Sequence, residues 1–121
     1  MGWSEWKNFG GLTIPYWDNR SVSYGGTMKM KLTGCSTINI GSLKVSNEHP
    51  SGYSDNSYFG VFDISDTSLR NPIYKKTAGT SLTNIVIDVS GHDGIIVVLN
   101  TGRPSNNDKP MYVTLTNIEI S

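Results

Sequence analysis

Hydrophobic and polar residues alternate along much of this chain with a period of two, the period of a strand buried on one face. In Thr27-Met28-Lys29-Met30-Lys31-Leu32, the residues Met28, Met30 and Leu32 fall on one side and Thr27, Lys29 and Lys31 on the other. Residues 36–40 alternate again, and Leu43-Lys44-Val45 continues in the opposite phase. Gly41 stands between them and reads as a bulge or kink. Residues 58–64 are apolar on both sides, which predicts a central strand, and residues 72–76 predict a shorter one. Ile85, Ile87 and Val89 point one way, the 90–94 segment SGHDG is a turn, and 95–99 is an apolar run short enough for a strand buried on both faces. Residues 111–120 form the last strand, whose phase slips near Thr116-Asn117. With a first strand over residues 12–17, about eight strands result, and no helical stripe of useful length interrupts them. The expected fold is all-β, an antiparallel β-sandwich of about eight strands of the jelly-roll type, in one domain spanning 1–121. An immunoglobulin-class sandwich is the competitor, but its paired Cys with an intervening Trp is missing.

Composition sharpens this picture. Hydrophobic residues make up 36% and charged residues 17% of the 121 residues, and Ser, Thr, Asn and Gly fill the difference. That mixture favours strands with polar outer faces over helices. Ten basic and ten acidic residues cancel, and Lys75-Lys76 is the one adjacent basic pair. Nucleic-acid binding through phosphate neutralisation is not expected, nor is membrane insertion, since no run approaches the length of a span. A neutral, polar surface suits an uncharged ligand such as a sugar, or a protein partner. The single cysteine, Cys35, allows no internal disulfide and reads as a small buried apolar residue. No signal peptide is visible at MGWSEWKNFGG, and the abrupt start is what a domain excised from a longer protein would show.

Certain segments resemble a known class of module. The run TNIVIDVSGHDGIIVVLNTG (83–102), then YVTLTNIEIS (112–121), and SYFGVFDIS (57–65) are similar to strands and turns of galactose-binding-like and carbohydrate-binding jelly-roll domains. Such modules recur in phage tail and receptor-binding proteins. The likeness covers about the last two-thirds of the chain and rests on strands and turns, not on a catalytic signature. It implies a β-sandwich and sugar binding, in an extracellular or virion setting. It also implies a structural calcium, for which Asp88, Asp93 and Glu119 are the candidates, although no EF-hand-like spacing supports them.

Sugars are held by aromatic rings stacked on pyranose faces and by polar side chains bonded to hydroxyls. Four clusters offer both. The first is Trp17, Asp18 and Arg20, where a Trp capping the sandwich is the alternative. The second is Tyr53 with Asp55, Asn56 and Tyr58, in a long loop of the kind that carries function. The third is Arg70, Asn71 and Tyr74, and the fourth is Asn100 and Arg103 with Asn106 and Asn107 in the polar loop before the last strand. Trp3 and Trp6 read as covers for the core or as an interface. Catalysis is not expected: His49 and His92 are the two histidines, and no serine in an elbow motif accompanies them. The reading is therefore a non-catalytic module for a glycan or cell-surface polysaccharide. The alternative is an assembly domain making homo-oligomer or other protein contacts, with Trp3, Trp6 and Met111 as anchors.

Overall fold

A computed structural model describes the backbone of residues 2–7, 16–23, 27–46, 57–101 and 112–121, with side chains from residue 28 onward. Nine strands run through these residues: β1 (Gly2–Lys7), β2 (Tyr16–Ser23), β3 (Thr27–Thr33), β4 (Thr37–Val45), β5 (Tyr58–Asp63), β6 (Pro72–Thr77), β7 (Ser81–Asp88), β8 (Gly94–Asn100) and β9 (Tyr112–Ile120). They form a five-stranded sheet in the order β1-β3-β8-β5-β6 and a four-stranded sheet in the order β2-β9-β4-β7. All pairings are antiparallel. Every connection except the β5–β6 hairpin carries the chain from one sheet to the other, which is how a jelly roll is wound. No helix occurs among the described residues.

The alternating side chains explain the sandwich. Met28, Met30 and Leu32 of β3 meet Ile38, Ile40, Leu43 and Val45 of β4 in one core with Val113, Leu115, Ile118 and Ile120 of β9. The interior strands β5 and β8 of the larger sheet are apolar on both faces. Ile95, Val97 and Leu99 of β8 join that core, whereas Ile96 and Val98 join Phe62 of β5 in a second cluster, against which Tyr58 and Leu69 pack. Phe62 and Val98 are fully buried there. The continuous 95–99 run thus lies buried on both sides, as expected of a strand second from neither edge.

The beginning of the chain departs from the expectation of one strand over 12–17. Two strands stand there instead, at 2–7 and 16–23, and residues 8–15 lie outside the described residues. The β1 register with β3 shifts between Trp3 and Glu5, so Trp3 and Trp6, at spacing three, pair with Leu32 and Met30. That irregularity hides the strand from a period-two search.

Both exposed edges on the described side are blunted. β6 carries Pro72, Lys75 and Lys76, and β7 carries Asn84 in a left-handed conformation, φ 54°. Charges, proline and local twist are devices that stop edge strands from pairing further.

Candidate functional site

The four-stranded sheet is creased along one line. In β4 the buried positions run Ile38, Ile40, then Leu43, Val45; in β9 they run Val113, Leu115, then Ile118, Ile120. Each strand therefore spends one extra residue at the change of phase. The register locates it: Ile40 pairs with Ile118 and Ser42 with Thr116, which leaves Gly41 facing Asn117 between the pairs. On the other side of β4, Ile40 pairs with Ile85 and Ser42 with Thr83, which leaves Asn84. On β2, Trp17 pairs with Ile118 and Asn19 with Thr116, which leaves Asp18. The row Asn84–Gly41–Asn117–Asp18 crosses all four strands.

Residue chemistry makes the crease. Asn84 and Asn117 adopt φ values of 54° and 53°, a region that asparagine enters more readily than most residues. Gly41 lies between them because space is short. A Cβ there would stand 2.9 Å from Asn117 Cβ and 3.1 Å from the Thr116 carbonyl oxygen. Beside the crease the hydroxyls of Ser42 and Thr116 bond to each other across the strands, a cross-strand pair that fixes the two sides.

On the outer face the crease opens a concavity of about 310 Å³. Asn39, Asn84 and Asn117 line it together with Glu119, and Val86 contributes a side chain that is 69% exposed. Three amides offer donors and acceptors in equal measure with a hydroxylated ligand, one carboxylate accepts, and one aliphatic group gives an apolar contact. The volume is at the small end for ligand sites, enough for one compact unit. Residues in uncommon backbone conformations gather at functional sites more than elsewhere, and here two line the same hollow.

The residues singled out from the sequence are distributed as follows. Asp18 falls on the crease opposite Asn117, while Trp17 and Arg20 hold register positions beside the core residues Ile118 and Leu115. Tyr58 and Tyr74 lie on opposite faces of the five-stranded sheet and share no site. Tyr58 meets Phe62 edge-on at 6.5 Å, with the Lys75 ammonium 4.5 Å from its ring centroid. Tyr74 meets Phe59 of the main core at 6.1 Å, with Lys76 at 5.4 Å. Burial pushes the pKa of both phenols up. Arg70 is exposed in the turn before β6, where its backbone N–H and that of Asn71 donate to the Asp66 carboxylate at 3.1 and 2.8 Å. Asn100 is brought beside Tyr58 in register. Tyr53 and Arg103 lie outside the described residues, but the ends of their loops are anchored together. Tyr58 pairs with Asn100, and Ser46 Oγ accepts from the Tyr112 N–H at 2.8 Å.

The carboxylates considered for calcium are not brought together. Asp88 pairs with Thr37 and Glu119 with Asn39, on opposite sides of β4, two strand spacings or roughly 10 Å apart. Calcium needs its ligands at about 2.4 Å. Asp93 sits in the turn before β8, and the Asp88 pKa is lowered by the Ser90 hydroxyl and then by the Ser90 N–H, which donates to it at 2.9 Å. No group of three His, Cys, Asp or Glu converges among the described residues. Cys35 is buried, and burial raises its thiol pKa, so it packs as a small apolar residue.

One constellation escapes a linear reading. His92 Nδ1 donates to Asp63 Oδ1 at 2.8 Å, joining the β7–β8 turn to the end of β5. The Ser65 N–H donates to the other carboxylate oxygen at 2.9 Å, and its hydroxyl does likewise. The Ser65 bonds, foremost the hydroxyl's, and then the His92 bond hold the Asp63 pKa at about 2. In a hydrolytic triad the serine would bond the far ring nitrogen. Here serine and histidine both bind the aspartate, so the group is a clasp. The two partners are 29 residues apart, and a histidine in a turn was the one hint in the sequence.

The molecule is thus a jelly-roll β-sandwich with a polar hollow on the outer face of its smaller sheet. No protein-family model, curated protein or solved structure matches this chain.

Proposed function

We propose that this domain is a non-catalytic carbohydrate-binding module, and that the creased face of the four-stranded sheet holds the sugar. The observation that carries the reading is the hollow lined by Asn39, Asn84, Asn117 and Glu119 beside the exposed Val86. Amides that both donate and accept match sugar hydroxyls, and an aliphatic patch matches the C–H face of a ring. The setting we favour is a phage tail or receptor-binding protein that recognises host-surface glycans, with a secreted polysaccharide-degrading enzyme next. The ligand approaches from the extracellular side or from the virion surface.

Binding to a glycan array and to bacterial cell-wall extracts tests the proposal, with Asn39→Ala as the site variant. Saturable binding that Asn39→Ala weakens supports it. Silence across both panels removes it.

A second reading has its own observation. Val86 and Leu82, 69% and 39% exposed, both lie on edge strand β7, where an assembly domain would present apolar contacts. Light scattering decides this: a strict monomer at high concentration counts against self-assembly.

A further inference from the structure

We infer that the hollow selects by charge and takes a sugar carrying a free, protonated amino group, with Glu119 as its counter-charge; this rests on the sugar-binding reading above. Among the lining residues Glu119 alone is charged. It is exposed at the end of β9, where its register neighbours are Tyr16 on β2 and Asn39 on β4, neither of which bears charge.

The rest of the face reinforces the sign. Asp88 stands on the same sheet, two residues beyond Val86. Among the residues of this sheet whose side chains are described, the cation is Lys44, whose ammonium lies 5.6 Å from the Tyr112 ring. Lys44 is five residues along β4 from Asn39, roughly 17 Å at the rise of a strand, which is about two Debye lengths at physiological salt. Among the described side chains, the charges nearest the hollow are therefore those of carboxylates. An anionic sugar, a uronic acid or a phosphate-bearing polymer is disfavoured there, and an ammonium is favoured.

The magnitude is modest because Glu119 is exposed. A solvent-exposed ion pair gives about a two- to fivefold preference, and salt reduces it. Neutral sugars still bind through the amides.

The test titrates the full chain with glucosamine, N-acetylglucosamine and glucose oligomers of equal length. The buffer is mildly acidic, which keeps the amine protonated. Backbone amide shifts in ¹H–¹⁵N spectra report the site. At low salt the glucosamine oligomer should bind about two- to fivefold more tightly than the N-acetylated one. High salt should erase the preference, and in Glu119→Gln the glucosamine and N-acetylglucosamine oligomers should bind with equal affinity. Equal affinities in the wild type, or a preference that survives in Glu119→Gln, overturn the charge selection and leave the sugar site standing. Absence of any shift with all three oligomers overturns the charge selection, and the glycan array with the cell-wall extracts then decides the sugar-binding reading.

Discussion

Replacing Gly41 by alanine probes the crease directly. Glycine in a strand interior ordinarily costs about 0.5–1 kcal/mol relative to alanine, so a rule based on propensity alone makes Gly41→Ala stabilising. The structure reverses the sign. The new Cβ would stand 2.9 Å from Asn117 Cβ and 3.1 Å from the Thr116 carbonyl oxygen, and neither is the free end of a flexible side chain. Asn117 is held at φ 53° and Thr116 is tied to Ser42, so relief requires β4 and β9 to part. Overpacking of this kind costs about 1–3 kcal/mol. Subtracting the propensity gain of about 0.5–1 kcal/mol leaves a net loss of about 0–2.5 kcal/mol, centred on about 1 kcal/mol, or a fall in Tm of roughly 4–5 °C at the centre. Gly91→Ala is the matched control, because nothing stands within 4 Å of its Cβ position. Urea unfolding followed by tryptophan fluorescence measures both. Gly41→Ala should lower the midpoint and Gly91→Ala should leave it within about 0.5 kcal/mol. A midpoint for Gly41→Ala equal to or above that of the wild type would refute the close approach of β4 and β9.

Asn84→Ala should lose about 1 kcal/mol through its left-handed backbone, whereas Asn84→Gly should stay close to wild type, as read by thermal unfolding. Asp63 has its pKa lowered to about 2, so its bonds stabilise the fold fully above the ordinary carboxylate value near 3.8, and that contribution is lost as pH falls through about 2. The Tm gap between wild type and Asp63→Asn should therefore be constant at neutral pH and close between about pH 4 and pH 2; a gap that widens on acidification contradicts the clasp. Ile96→Ala should cost about 2–5 kcal/mol, since Ile96 is 3% exposed although it lies outside the main core, while Val86→Ala, at a 69% exposed position, should stay within about 0.5 kcal/mol by urea unfolding.

Much of the sandwich is legible in the alternation of side chains because burial on one face imposes it. The alternations of β3 and β4 mark strand type, and the loss of alternation in residues 95–99 of β8 marks an interior position. Half of the crease is legible too. The phase slips at Gly41 and near Thr116-Asn117 are written in the hydrophobic pattern, since an extra residue must shift every later side chain. Asn84 leaves no such trace, because the residues before it, Ser81 to Thr83, belong to an exposed edge. Asp18 leaves none because β2, YWDNRSVS, hardly alternates. That four strands crease along one line is a fact of register, as are the pairings of Tyr58 with Asn100 and of His92 with Asp63. Tyr58 and Tyr74 look alike in sequence, yet hairpin geometry sends them to opposite faces.

The measurement that bears hardest on the proposed function is ¹H–¹⁵N shift mapping of the labelled domain during titration with a glycan that it binds. Shifts concentrated at Asn39, Asn84, Val86, Asn117 and Glu119 are predicted, because these residues line the hollow. Shifts confined to the Tyr58–Asn100 end of the other sheet, with the crease silent, would contradict it.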